Sequence, residues 1–464
     1  PWARFVLQIQ ALLLFLLWLL WSFKSEEKFN PSTKTYLLIL FLLVCLIQIL
    51  PIPQFVLGIL SGKSLEIWDK NQTLLSSLGY DKGKGMFTIS LYAQATWKET
   101  LLFLSYVAFG FVIARMLTSE RRVKILLVPI LAVSLFETTY GTYQYLLNIQ
   151  NSAYPDVISA TGTFVNRNHF AGFLEMSIPL ALGYALSLSN WDDGKQNSLL
   201  KKLVSSDNLY KQILLIFLAG IMLLALILSK SRMGIFSSFL SLIFFYISYV
   251  SFRRNKTQKG WLLLFVIAIA ILYGLWIGLY SVFERFLRIE AEAQGRLLVW
   301  KDMLTMIRDF PLFGTGFGTF SHVYPLYKQF MEKALVFSYA HNDYLQLLAE
   351  TGVLGFLTLI TALILFLLSS LKSLNRFSQE EDYFSFFLVL GGLTGIVSLL
   401  IHSLADFNLH IPSNALYFAL LIGFVSAVSG GVQRATIKKR VRVKRRRRIK
   451  PQEDDLSYID IEPK

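Results

Sequence analysis

The chain has 464 residues, 54% of them hydrophobic and only 16% charged, against roughly 25% charged in an ordinary soluble domain. A water-soluble fold is excluded, because lipid must replace the missing polar coat, and the single cysteine, Cys45, set in an apolar run, leaves no disulfide framework and no thiolate metal site. The net charge of +15 does not favour a nucleic-acid partner: eleven Lys and Arg fall within 434–450, directly after the last apolar segment, and read as a cytoplasmic topology anchor that meets anionic lipid headgroups in preference to a nucleic-acid arm.

A helix needs about 20 mostly apolar residues to cross a hydrocarbon core about 30 Å thick. By that measure the sequence predicts spans near 4–23 and 35–51. The stretch 52–97 carries Gly, Ser and Lys with few large apolar residues and reads as a lid or an irregular segment. Further spans are predicted near 98–117, 123–147, 169–189, 211–229, 232–251 and 260–281. Residues 282–342 differ. Seven basic and six acidic side chains fall in 282–340, and a helical pattern runs from Arg296 through Trp300, Met303, Leu304 and Ile307 to a break at 311–318. This pattern predicts a small outer domain of amphipathic helices lying on the membrane. The last spans are expected near 343–370, 383–405 and 410–431. The fold class is therefore all-α, a polytopic transmembrane helix bundle of about eleven spans. Its parts are helices over 1–281, a loop domain over 282–342, C-terminal helices over 343–431 and a basic cytoplasmic tail over 432–464.

Lys and Arg collect in the short cytoplasmic connections of membrane proteins. With the basic tail placed there, so are the connections holding Lys372 and Arg376, then Arg253, Arg254, Lys256 and Lys259, then Lys201 and Lys202. Arg121, Arg122 and Lys124 join them, as do Lys24, Lys28 and Lys34. The other side is nearly bare: 149–168 has one basic residue, Arg167, and 406–410 has none. Pro1 then lies on the outer face. The chain does not begin with Met, and eleven spans would leave its ends on opposite sides, so one more helix is expected ahead of Pro1, twelve in all.

Polar groups at the ends of apolar runs must be hydrated, paired or functional. Four such clusters fall on the outer side. Gly162-Thr163-Phe164-Val165-Asn166-Arg167-Asn168-His169 leads into a span that Asn168 can cap, with the free N–H groups of the first turn beside Arg167 offering an anion site. An interfacial cap with a snorkelling Arg fits these residue types equally well. Ser229-Lys230-Ser231-Arg232-Met233-Gly234 is the whole connection between two spans and pins two cations at the surface. Snorkelling accounts for either one; a lipid pyrophosphate accounts for both. Pro311-Leu312-Phe313-Gly314-Thr315-Gly316-Phe317-Gly318 has the spacing G-x-G-x-G with no strand before it, which excludes a dinucleotide or P-loop fingerprint. It reads as a flexible hinge with aromatic plugs, ahead of direct substrate contact. His341-Asn342-Asp343-Tyr344 opens a span, with Glu350, Thr351, Gly352 and Gly355 further along. An imidazole, with a free pKa of about 6.5, suits removal of a proton from a sugar hydroxyl, although a lone His at a helix start is more often polar surface. There is no H-E-x-x-H and no D-x-D in an outer loop, so no metal or other cofactor is expected.

At these residues the chain resembles the O-antigen ligase and polymerase family, multi-pass bacterial enzymes that move undecaprenyl-pyrophosphate-linked glycans at the periplasmic face of the inner membrane. The most specific likeness is His341-Asn342, nine residues, then Gly352-Val353-Leu354-Gly355. The 162–169 segment, Ser231-Arg232-x-Gly234, and Arg296 with Trp300 ahead of Pro311-Leu312-Phe313-Gly314-x-Gly316 add to it. The likeness runs from about 160 to 356; residues 1–150 match in hydropathy alone, and the basic tail is outside the family pattern. It implies a GT-C-like fold and a metal-independent, inverting transfer. His341 would be the general base, Arg232 and Arg296 would hold the pyrophosphate with Arg167 a third candidate, and Asn166, Asn168, His169, Asn342, Gly352 and Gly355 would support them.

The donor implied is an undecaprenyl-pyrophosphate-linked glycan. The acceptor is lipid A core for a ligase, the growing glycan on the same carrier for a polymerase, or a protein hydroxyl for an oligosaccharyltransferase. A transporter or flippase of twelve helices is the rival from another class; it should carry broken helices and charged residues near the bilayer midplane, whereas here the polar groups are read at one surface.

Overall fold

Apolar runs become helices because hydrocarbon offers no partner to a backbone N–H or C=O, so each segment must satisfy its own. A computed structural model describes residues 2–24, 31–80, 86–149, 158–188, 208–252, 289–329 and 337–449, with 289–294 and 431–449 as backbone only. The first helices are α1 (Trp2–Lys24), α2 (Thr33–Ile49), the short α3 (Gln54–Leu60) and α4 (Gly62–Ser77), α5 (Ala93–Met116) and α6 (Glu120–Leu146). Then come α7 (Arg167–Ser187), α8 (Leu209–Leu228), α9 (Arg232–Phe252), α10 (Ile289–Asp309), α11 (Phe320–Val323), α12 (Asp343–Gln379), α13 (Tyr383–His402) and α14 (Pro412–Ile449). Among the described residues nine of these are long and apolar enough to cross a membrane, namely α1, α5 to α9 and α12 to α14, and α2 is a shorter apolar helix. The protein is an all-α, polytopic membrane protein. The span expected over 260–281 lies outside the described residues.

Two helix ends depart from the sequence reading. α13 stops at His402, short of 405, and the chain then turns through 403–411 before Pro412 opens α14. α14 was expected to leave the membrane near 431 as a tail; its backbone stays helical to Ile449, as Lys and Arg favour helix and no proline intervenes before Pro451. Residues 450–464 lie outside the described residues.

Helices in lipid gain little from hydrophobic attraction to one another, so close contact depends on small residues. α7 and α13 meet at Gly391 and Gly395, four apart on α13. A Cβ at Gly391 would stand 2.5 Å from Pro179 O, and one at Gly395 2.6 Å from Met176 O. α5 and α14 meet likewise at Gly110, where a Cβ would stand 2.7 Å from Ala419 O. α7 is buried almost all round, the mark of a helix at the centre of a bundle. The N-terminal ends of α7, α9, α12 and α14 and the C-terminal end of α13 meet at one end of the bundle. At the other end Lys34 Nζ donates to Ser369 Oγ (2.9 Å) and Lys124 Nζ lies 5.0 Å over the Phe384 ring.

A second layer covers the first of these ends. The stretch 52–97, expected as a lid or irregular segment, holds α3, α4 and a two-residue antiparallel pairing of β1 (Ile52–Pro53) with β2 (Met86–Phe87). Its Leu57 and Ile89 are fully buried, so a few well-spaced apolar residues among polar ones suffice to fold it. α10 lays Val299, Met303, Met306 and Phe310 against Phe320, Tyr324 and Tyr327, and Ile67 and Leu91 pack on the same cluster. The buried phenols stay paired: Tyr324 donates to Asp302 (3.1 Å) and Tyr327 to Asp309 (2.7 Å). Burial first, then these carboxylates, raise both phenols above their ordinary range.

The layer is keyed to the bundle where α12 bends. Gly352 takes φ 61° and ψ −173°, a region open to glycine, and a Cβ there would run into the Leu312 backbone. Val353 N–H donates to Pro311 O (2.8 Å), Thr315 N–H to Ala349 O and Gly316 N–H to Glu350 O (3.0 Å each). The buried Glu350 carboxylate accepts Gly318 N–H (2.8 Å) and Phe320 N–H (3.0 Å). The 311–318 segment, expected as a flexible hinge, is a cross-laced joint.

Candidate active site

The turn after α13 is the centre of the site, and several of its backbone and side-chain groups are engaged from other helices. Ser403 O accepts Asp343 N–H (3.0 Å), and Ala405 O accepts Arg296 Nη1 (2.6 Å). Asp406, wholly buried, accepts Phe407 N–H on Oδ1 (2.8 Å) and Asn168 Nδ2 on Oδ2 (2.6 Å). Asn408 Oδ1 accepts Asn414 Nδ2 (3.0 Å) and lies 3.1 Å from His169 Nδ1. Leu409 N–H donates to Asp343 Oδ2 (3.1 Å), and His410 Nδ1 lies 2.6 Å from Asp343 Oδ1. The Phe407 ring stacks on Tyr339 at 4.4 Å and is met edge-on by His169 (4.6 Å) and His341 (4.7 Å).

His341 stands just before α12, where Asn342 accepts Tyr344 N–H (3.1 Å) and Leu345 N–H (3.0 Å) as the helix cap. Its own backbone is left-handed, φ 53°, which costs an L residue about 1–2 kcal/mol. The fixed neighbours hold it there: Trp300 Nε1 donates to Ala340 O (2.9 Å) and Ala340 N–H to Gln346 Oε1 (3.0 Å). The imidazole is 29% exposed, and Nδ1, itself buried, faces Asp406 Oδ1 at 3.6 Å. Burial alone would raise the Asp406 carboxyl, but the imidazoles of His341, His402 and His169 around it hold it well below the usual carboxylate range. Asp406 is thus a fixed anion behind His341. Burial alone would lower His410, but the Asp343 hydrogen bond and charge, with Glu350 and Glu99 beyond, raise it to about 9.

The remaining sequence-predicted residues sort by helix. The cap of α7 is Asn166, not Asn168: Asn166 Oδ1 accepts Asn168 N–H (2.9 Å), which leaves the Asn168 side chain free to reach Asp406. His169 is buried between Phe407 and Asn408. Arg167 and Arg232 are the half-buried first residues of α7 and α9. Those helix starts are neighbours, since a Cβ on Gly234 would stand 2.5 Å from Ala171 Cβ. Their N-terminal dipoles add to the two guanidiniums in favouring an anion. Lys230 turns aside over the Tyr145 ring at 5.4 Å. Gly352 makes the bend in α12, and Gly355 lies beyond it, within the helix. Arg296, His341, Asn168 and His169 are therefore brought together around the 402–411 turn, with Arg167 and Arg232 opening the helices beside it.

Sequence reading missed Asp406, His402, Asn408, His410 and Glu175. Glu175 lies inside α7, wholly buried, so the polar groups are not confined to the bundle surface. Two signals were present: a lone carboxylate eight residues inside an apolar run, and four of the chain's five histidines at the ends of spans.

Residues 217–360 match the family model described as O-antigen ligase. Over this stretch the chain is similar to the O-antigen ligase family. It takes in Arg232, Arg296, His341 and the bend at Gly352, while Arg167, Asn168, Glu175 and Asp406 lie outside it. A Haemophilus influenzae protein described as uncharacterized is 27% identical over 135 residues, 28% of this chain and 33% of that protein. The match thus spans about a third of that relative's length.

Proposed function

We propose that the protein transfers an undecaprenyl-pyrophosphate-linked glycan to a hydroxyl of lipid A core, as an O-antigen ligase at the periplasmic face of the bacterial inner membrane. The observation that carries this reading is the pairing of His341 with the buried Asp406 carboxylate, at the end of the bundle where three arginines gather. Asp406 fixes the imidazole with Nδ1 inward, so that Nε2 meets the acceptor hydroxyl. As the acceptor oxygen bonds to the anomeric carbon, its proton passes to Nε2, the bond from that carbon to the pyrophosphate oxygen breaks, and the configuration inverts. Negative charge grows on the departing oxygen, where the guanidiniums of Arg232, Arg296 and Arg167 stabilise it better than ammonium groups would. Asn166 and Asn342 cap the starts of α7 and α12, and Gly352 bends α12 beyond its cap. A metal-independent course and a GT-C-like architecture follow from the family resemblance.

The test uses purified protein in lipid nanodiscs with an undecaprenyl-pyrophosphate glycan, with lipid A core added or omitted, and reads the product mass. Glycan on lipid A core supports the ligase reading; a lengthened lipid-linked glycan formed without core replaces it with a polymerase. His341→Ala should keep donor affinity and lose on the order of a hundredfold or more in rate. Near-normal turnover in that variant would remove the base.

A further inference from the structure

Two ionisable residues at this end of the bundle have no part in the step above. Glu175 lies eight residues, about 12 Å, along α7 from its start, with Ser237 of α9 donating to Oε2. His402 ends α13. Both are wholly buried. His402 Nδ1 lies 3.1 Å from Glu175 Oε1, and Nε2 faces Asp406 Oδ2 at 4.0 Å with no hydrogen-bond partner. A ring with a carboxylate oxygen before each nitrogen is matched when both nitrogens carry hydrogen, which makes it an imidazolium. A carboxylate buried this deep in an apolar helix stays ionised only beside such a partner.

We propose that Glu175 and His402 form a buried ion pair that acts through Asp406 to set how tightly His341 holds a proton. The proposal rests on the reading of His341 as the base. The pair is neutral as a whole, but it is oriented: its cation lies 4.0 Å from Asp406 and its anion is one imidazole further away. It therefore presents positive potential to Asp406 and tempers that carboxylate's hold on the proton at His341. A base works best when it takes a proton and gives it up near the working pH. An unopposed, buried Asp406 would keep His341 loaded between turnovers. The other charged or titratable groups facing this chain are Arg296 of α10, held on Ala405 O, His169 of α7, held on Asn408, and the Asp343–His410 pair. All of them stay in place in the variants below. Glu175 and His402 are positioning residues; they touch neither donor nor acceptor.

The experiment measures single-turnover rate against pH for the full chain in nanodiscs. The double variant Glu175→Gln, His402→Gln replaces the ion pair with an amide pair of similar shape. Its acid limb should move upward by about one pH unit, with donor KM unchanged. A limb at the wild-type position, whatever happens to the plateau rate, would show a merely structural pair and overturn the proposal. A second measurement reads protonation directly. Solid-state NMR of the wild-type chain with 15N-labelled histidine, with the His402 signals assigned by their loss in His402→Gln, should show both His402 nitrogens protonated at about pH 7.5. A neutral His402 ring overturns the ion pair. Failure of the underlying reading looks different: the wild type would lack an acid limb, or His341→Gln would retain it.

Discussion

Asp406→Asn is the sharpest probe of the site, because it changes one atom where four contacts meet. The carboxylate accepts Phe407 N–H on one oxygen and Asn168 Nδ2 on the other. An amide has one acceptor oxygen, so Asn168 must turn its own amide over to meet the new NH2. The larger loss is charge. A proton arriving at His341 faces a full negative charge at 3.6 Å in the native site and none in the variant. At an effective dielectric of about 20 that interaction amounts to about 4 kcal/mol, or about three powers of ten in rate. His341 is 29% exposed and water screens part of the attraction, so the expected fall is about 10²–10³-fold. Donor affinity should hold, since the proposed function assigns it to the arginines. The assay is single-turnover transfer from the lipid-linked donor in nanodiscs, with donor Kd measured alongside. A rate within about threefold of wild type, or a donor Kd that rises as steeply as the rate falls, would refute the coupling of Asp406 to the base.

Three further outcomes are expected. Arg232→Lys and Arg296→Lys keep the charge and lose the forked donor geometry, so each should slow transfer at least about tenfold, about 1.4 kcal/mol; unchanged rates in both variants would dismiss the clamp. Single cysteines beside Arg167, Arg232, Arg296 and His341, in a Cys45→Ser background, should react with an impermeant maleimide in intact spheroplasts, and labelling that needs lysis would reverse the orientation. The His410–Asp343 pair should stabilise the fold most in acid: with the folded imidazole raised to about 9 against about 6.5 when unfolded, its contribution is complete below about 6.5 and is lost as pH rises through 9. Its size is on the order of 3 kcal/mol. Thermal unfolding of Asp343→Asn should lose that part of the slope, and parallel Tm-against-pH curves for variant and wild type would contradict it.

The helices were legible because their signal is local. Runs such as α8 and α13 reach the apolar length a membrane demands, and their order along the chain followed directly. His341 and Arg232 were legible as polar groups at the ends of such runs, and Arg296 as the start of the amphipathic pattern in the outer loop. Asp406 was not, because its meaning comes from Asn168 and His341, which reach it from two distant segments, as well as from His402 four residues before it. Glu175 was hidden for the opposite reason, one carboxylate averaged away in an apolar window. In 52–97 the cover was legible but its helices were not, because its few buried anchors, Leu57 and Ile89, are outnumbered by polar residues. The same dilution hid the joint at 311–318, whose glycines looked loose in sequence and are fixed by partners near Glu350.

The span of chain that the site brings together bears on how the protein is made. Asn168 and Asp406 are 238 positions apart, and Glu175 and His402 are 227 apart. α7 is therefore inserted, with a lone buried carboxylate and an unmatched Asn168, long before its partners leave the ribosome. At synthesis rates of about 5–20 residues per second the interval is tens of seconds. Through that time α7 lacks the Gly391 and Gly395 surface against which it packs. The growing chain lacks the Asn168–Asp406 and Glu175–His402 contacts until α13 and the 403–411 turn have entered the membrane. That interval makes α7 the segment of the nascent protein most in need of a chaperoning neighbour in the insertion machinery.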